Sequence, residues 1–434
     1  MAPLDDGLDP VTITADSPSS ETPSSPGVSA GQARPGPDWR IAGLALALLL
    51  GGIAYIGGAV GGKQAALYAL GASLGLVLFH AAFGFSSTWR VFLADGRGAG
   101  LRAQMLMLAL ATAIFLPALA QGTLFGQPVG GALAPFGVSV LVGAFLFGVG
   151  MQLGGGCASG TLYTVGGGSG RMVVTLIFFV IGSLLGTAHA PWWQQTPSLG
   201  TISLLATLGL SGALAAQLGL FALIAAATMV VEKRRHGRAD HGAAGVPGSG
   251  GAPGLAARIW RGPWPLVIGG VALALLNAVT LALAGHPWTV SFGYALWGAK
   301  AAAALGVDVG AWAFWTWPYP RQALAGGLFA ETTSVMNFGI VVGAFLAAGL
   351  AGKFGPWRRL DWGSVAAAAV GGVLMGYGAR LAYGCNVGAY FSGIASGSLH
   401  GWLWFVAALA GTYVGTALRP RFGLPVERRR AATA

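Results

Sequence analysis

The sequence predicts an all-α integral membrane protein, and three observations carry that expectation. Apolar residues fill 55% of the 434 positions and charged residues only 9%, a balance far from that of soluble proteins. Apolar runs recur that reach the roughly 20 residues a helix needs to cross a hydrocarbon core of about 30 Å. No series of ~10-residue segments alternates apolar with polar residues, so a membrane β-barrel is excluded. About nine to eleven hydrophobic segments are expected, some of them half-length, and the 74 glycines imply close helix contacts and broken or re-entrant helices at the centre.

Residues 1–40, rich in Ser, Pro, Gly and Asp and without an apolar run, read as a disordered tail and not as a signal peptide. Spans are then expected at 41–62, 65–84, 103–124, 132–153, 172–190 and 212–231. Residues 232–262 combine Lys233, Arg234, Arg235, Arg238, Arg258 and Arg261 with Gly, Pro and Ser, as a basic linker does. Four more spans follow at 265–285, 333–351, 363–383 and 401–418. The chain ends in a basic tail, 419–434, with Arg419, Arg421, Arg428, Arg429 and Arg430. The net charge of +11 does not argue for nucleic acid, because the basic clusters flank apolar spans. The positive-inside rule assigns linker and C-terminus to the cytoplasm, and in a bacterium the location would be the inner membrane. Two cysteines are too few for a disulfide framework.

The linker divides the membrane region near its middle, which invites a test for duplication. At an offset of 228 residues, Gly148, Gly150, Leu153, Gly156, Cys157 and Gly160 fall on Gly376, Gly378, Leu381, Gly384, Cys385 and Gly388. One residue further on, Gly182, Gly186 and Thr187 fall on Gly411, Gly415 and Thr416. The expectation is two pseudo-symmetric membrane repeats, 41–231 and 263–418, whose only two cysteines occupy the same place. Transporters commonly carry such repeats, with the ligand site between them near the bilayer midplane. Whether the repeats are parallel or inverted stays open.

Each cysteine sits in a turn where the backbone leaves helical geometry, "LGGGCASG" in one half and "AYGCNVG" in the other. Such backbone is tolerated at membrane depth only where it is buried in protein or lines a polar cavity. Its exposed N–H groups and the start of the next helix make that space attractive to an anion. Glycine-rich turns also serve packing alone, and cysteine is then a small apolar filler. The matched recurrence favours function. Candidate ligand groups are Cys157 and Cys385 with Gly155, Gly156, Ser159, Gly160, Gly384, Asn386 and Gly388 around them. Arg380 joins them as a costly intramembrane cation, and so does its counterpart Gln152, a neutral donor that helix packing would equally explain.

The blocks "GVGMQLGGGCASGTLYTVGGGS", "PWTVSFGYALWGAK" with "LGVDVGAWAFW", and "GYGARLAYGCNVGAYFSGIASGSLHGW" resemble the YeeE/YedE sulfur-transport membrane proteins over most of 60–425. The resemblance implies uptake of a small sulfur-containing anion, typically thiosulfate, along a narrow central path lined by cysteines matching Cys157 and Cys385. It also admits selenium-linked members and a cytoplasmic sulfur-carrier protein as partner, for which the sequence has no docking motif. A further family cysteine, in segments like FCFTGALRD, falls here on Gly84, so that thiol is missing.

The chemistry follows without the family. An unperturbed thiol ionises near 8.5 and burial disfavours the thiolate, so neutral S–H groups would meet the ligand. A weak S–H donor suits a soft terminal sulfur, which sulfate lacks, and passes the ion on without trapping it. The rival reading is a membrane thiol enzyme or a persulfide- or selenium-handling protein, in which the cysteines exchange electrons or carry sulfur. Neither cysteine has a local base to activate it.

No metal and no cofactor are expected. Histidines 80, 189, 286 and 400 lack ligand spacing, and "GGGSG" at 166–170 is not followed by the GK[ST] of a phosphate-binding loop. Lys300 reads as a weaker functional candidate that snorkelling would also explain, and Glu331 as the cap of a helix starting near Thr332. Trp192, Trp193, Trp402 and Trp404 read as interfacial anchors.

Overall fold

The computed structural model describes residues 36–239, 255–355 and 360–426. The expected N-terminal tail up to residue 35, the centre of the basic stretch at 240–254 and the last residues from 427 lie outside the described residues.

Ten helices among the described residues are long and apolar enough to cross a membrane, so the all-α membrane class holds. In chain order the helices are α1 Trp39–Ala59, α2 Gly62–His80, α3 Phe85–Asp95, α4 Ala99–Gln121, α5 Val138–Gly154, α6 Ala158–Gly166, α7 Gly170–Gln194 and α8 Leu204–His236. Then come α9 Leu255–Arg261, α10 Leu266–Ala284, α11 Ser291–Ala304, α12 Ala313–Thr316, α13 Pro318–Ala325, α14 Thr332–Ala351 and α15 Trp362–Leu381. A seven-residue π-helix, Asn386–Ser392, leads through α16, Gly393–Ala395, into α17, Leu399–Leu418. Among the described residues, strand is confined to two small antiparallel pairs, Thr123–Leu124 with Gln127–Pro128 and Pro135–Gly137 with Ser198–Thr201, besides a single bridge between Ser203 and Ser398.

The boundaries follow local chemistry. Asp38 starts α1 by accepting from the N–H groups of Arg40 and Ile41, and Asp361 starts α15 by accepting from Ser364. α5 stops at Gly155, whose φ of +92° only glycine adopts without strain. α8 continues through Lys233–His236, the first basic residues after the last span of the first half.

The centre is four helices in backbone contact. α5 and α15 cross antiparallel, Gly150 lying on Gly371 and Gly378 on Gly143. α17 packs on α5 through Gly411 against Phe145 and Gly148 against Ala408, and α7 packs on α15 through Gly182 against Val373 and Gly376 against Phe179. A Cβ at any of these glycines would stand inside contact distance of the facing backbone, which is why the sequence spends glycine here. Around this block α2 pairs with α14 and α4 with α10, while α1 covers α14 and α8 covers α4.

The two ends of the bundle differ in charge. At one end Arg171 donates to Leu153 O, Arg419 donates to Gln152 O at 2.6 Å, and Arg102 pairs with the buried Glu232 at 2.7 Å. The same end carries the Lys233–His236 terminus of α8, where His236 Nε2 lies 2.9 Å from Asp95 O. The C-terminus of α15, with Arg380, lies at the other end.

Candidate functional site

Both cysteines sit where a central helix has just stopped. Beyond Gly155 the chain turns through Gly156, and Cys157 takes an extended conformation as the N-cap of α6. Its sulfur accepts from Gly160 N at 3.4 Å and lies 3.5 Å from Ser159 Oγ, while Thr161 Oγ1 donates to its carbonyl at 2.8 Å. Beyond α15, Tyr383 (φ +57°) and Gly384 (φ +159°) reverse the chain into Cys385, again extended, ahead of the π-helix. Ala389 N donates to the Cys385 carbonyl at 2.9 Å. Gly160 N thus bonds the Cys157 thiol, whereas the Cys385 side chain caps no backbone N–H of the π-helix.

The structure brings the two turns together. Both thiols are free and buried, and α6 touches the π-helix. Tyr294 of α11, fully buried, reaches the Cys157 segment, donating from its hydroxyl to Ala158 O at 2.9 Å. Because α5 and α15 run antiparallel, Cys157 is approached from the basic end and Cys385 from the opposite one.

A cavity of ≈ 320 Å³ opens at that opposite end, where Arg380, Leu381 and Tyr383, ahead of Cys385 in the chain, help to line it. Ser139, His286, Thr289, Ser291, Tyr319 and Arg380 contribute its polar lining. Arg380 is half-buried, donates from Nη2 to Ser291 Oγ at 2.8 Å and leaves Nε without a protein partner. A Cβ at Gly388 would meet the Thr289 side chain at 3.3 Å, so this lining residue lies close to the Cys385 turn.

Gln152 is placed differently from its sequence counterpart. Its Oε1 accepts from Arg90 at 3.2 Å and its Nε2 donates to Ser86 O at 3.1 Å, so both amide poles tie α5 to α3. Lys300 donates to Leu324 O at 2.9 Å and Gly326 O at 2.7 Å, holding the end of α13. Trp404 departs from the interfacial expectation. It is fully buried and donates to Gly384 O at 3.2 Å, because α17 turns this face into the bundle against the Cys385 turn. Trp402 is half-buried and donates to Gln217 at 3.2 Å, whereas Trp192 is 62% exposed. At Gly84 a side chain would meet Ser87 Oγ at 2.5 Å and Tyr163 of α6 at 3.8 Å, so the position that lacks the family's thiol borders the Cys157 segment.

Glu331 caps α14 as its neighbours suggested, accepting from Thr333 N and Ser334 N at 2.7 Å each, and it receives Tyr319 Oη at 2.9 Å. Burial and this carboxylate hold the Tyr319 phenol above its usual range, so it stays a donor on the cavity wall. Replacing Glu331 with alanine is expected to cost about 1–3 kcal/mol, a lost cap plus a lost charge-assisted bond, read as a lower thermal midpoint in detergent.

Sequence reasoning missed Tyr294, Ser291, Thr289 and Tyr319. All four lie on segments too short or too polar to register as spans. Among the described residues no group of three or more His, Cys, Asp or Glu side chains converges as a metal would require.

Comparison with individual curated proteins gives no match. Comparison with family profiles gives one described as sulphur transport, matched over residues 80–414, which takes in both cysteine turns, Arg380 and the cavity. With most of its length so covered, this ten-span chain belongs to the YeeE/YedE family of sulphur-transport membrane proteins.

Proposed function

We propose that the protein imports a small sulfur-containing anion, thiosulfate foremost, through its own membrane region and without a reaction on the ligand. The carrying observation is the pair of buried free thiols at opposed, backbone-amide-lined turns, one of them beside a cavity holding a guanidinium. An anion entering the cavity would meet Arg380 first, then Cys385, then Cys157, and leave toward the basic end. Neutral thiols guide the terminal sulfur, and N–H groups such as those of Gly160 and Gly388 offset the charge.

Two repeats, left open above as parallel or inverted, are read here as inverted, because α5 and α15 cross antiparallel and contacts match at the 228–229-residue offset. Gly148 faces Ala408 as Gly376 faces Phe179, and Gly182 faces Val373 as Gly411 faces Phe145. The concentration of Arg and Lys at one end supports placing that end in the cytoplasm, in a bacterial inner membrane. A cytoplasmic sulfur-carrier protein would then receive the anion there.

Uptake of labelled thiosulfate by cells lacking their own uptake systems tests the reading, with sulfate and selenite as competitors. Accumulation that resists excess sulfate is expected. Absence of uptake, with the protein confirmed in the membrane, would count against it. Arg380→Gln is expected to raise the apparent KM about tenfold or more, the loss of one charged hydrogen-bond donor to the ligand, while sparing assembly.

A further inference from the structure

Asn386 follows Cys385 directly and is completely buried, yet neither Nδ2 nor Oδ1 has a hydrogen-bond partner within the protein. That is an expensive arrangement. A buried amide without partners costs several times the net gain of an ordinary hydrogen bond, and native interiors tolerate few. Other buried amides are treated otherwise: Asn277 bonds Ser392 Oγ at 3.2 Å and Trp288 N at 2.7 Å, Gln104 and Asn337 each leave one pole unpaired, and among the described residues Asn386 alone leaves both. The position is also asymmetric. At the 228-residue offset Asn386 falls on Ala158, a methyl group that can neither donate nor accept.

Resting on the import reading above, we infer that the two thiol turns are unequal stations, and that the Asn386 amide makes the Cys385 turn the affinity-determining one by donating from Nδ2 to an oxygen of the sulfur oxyanion. The chemistry fits the location. A primary amide offers two N–H donors without a charge, so it holds an oxyanion more weakly than a guanidinium would and lets it go. Arg380 lies one step nearer the cavity, with a buried Nε also lacking a partner. The anion would pass from a charged donor to a neutral one, with the thiol of Cys385 addressing its terminal sulfur. The Cys157 turn has backbone N–H, the Ser159 hydroxyl, the thiol and, against Gly155, the Arg171 guanidinium bonded to Leu153 O, but no buried side-chain amide, a set suited to release.

The test uses the purified full-length chain, melted with and without millimolar thiosulfate, beside Asn386→Leu, which keeps the shape and removes both poles, and Asn386→Asp, which replaces the donors with a charge. Thiosulfate should raise the melting temperature of the wild type and leave both variants unmoved. Without ligand, Asn386→Leu should melt at or above wild type, because it deletes unpaired buried atoms. In cells its KM should rise about tenfold to a hundredfold, as one hydrogen bond to a charged ligand predicts, with the preference for thiosulfate over sulfate retained. A leucine variant that keeps the ligand-induced rise, or that melts below wild type without ligand, overturns the assignment. A wild type with neither uptake nor a melting shift removes the import reading instead, and the ligand-free comparison still decides whether the amide is structural.

Discussion

Gly376→Val should leave no folded protein in the membrane. A Cβ at this position would overlap Phe179 O, stand 2.5 Å from Ser183 N and 2.8 Å from the carbonyl carbon of Gly182, all backbone atoms of α7 that no rotamer change can move. Two further methyl groups would force α7 and α15 apart along their whole contact. Overpacking of one well-filled site costs about 1–3 kcal/mol when side chains can adjust, and more when only backbone can yield. Since the same helices hold the Cys385 turn, the loss would be of assembly and not of activity alone. Membrane-fraction yield and size-exclusion profile of a fluorescent fusion measure it. A monodisperse variant at wild-type yield would show that the central crossing tolerates separation.

Cys385→Ala and Cys157→Ala are expected to do the reverse: normal yield, with thiosulfate uptake reduced to near background. Each substitution removes one buried sulfur and leaves the backbone amides in place, and a buried cysteine-sized cavity is small against the extensive glycine packing around it. If the thiols only filled space, uptake would be unchanged in both variants. Serine at either position separates hydrogen bonding from softness: it restores a donor and not the affinity for a terminal sulfur. Partial recovery with lost discrimination against sulfate is the expected pattern for Cys385→Ser.

The long spans were legible because hydrocarbon burial is recorded residue by residue. The run expected at 363–383 is Trp362–Leu381, and that at 333–351 is Thr332–Ala351. The cysteine turns were legible for another reason: the glycine-rich break with its cysteine occurs twice, at a spacing of 228 residues. What did not show was whatever depends on distant chain segments meeting. Arg380 finds Ser291 across 89 positions, and the Ser139 hydroxyl donates to Leu381 O across 242, so the cavity has no local signature. α11 hid for want of length, 14 residues ending in an exposed "AAAALG". Trp404 was misread because aromatic residues near a helix start look alike from sequence whether they meet lipid headgroups or a neighbouring turn. Gln152 and Arg380 occupy matching positions yet differ in partners, since Arg90 and Ser86 of α3 reach the first and the cavity reaches the second.

The glycine contacts at the α5, α7, α15 and α17 crossing also have a mechanical meaning. Helices that touch backbone to backbone have no flexible side chains between them to act as a lubricant, so sliding or rocking one against another would require breaking many contacts at once. The block behaves as a rigid frame. Compliance is left to the short pieces at its two ends, the π-helix beyond Cys385, α6 beyond Cys157, and the α11–α13 segment pinned by Lys300 and Glu331. Passage of an ion would then be a matter of small plugs yielding within a fixed wall, quicker and cheaper than swinging half a protein through the bilayer.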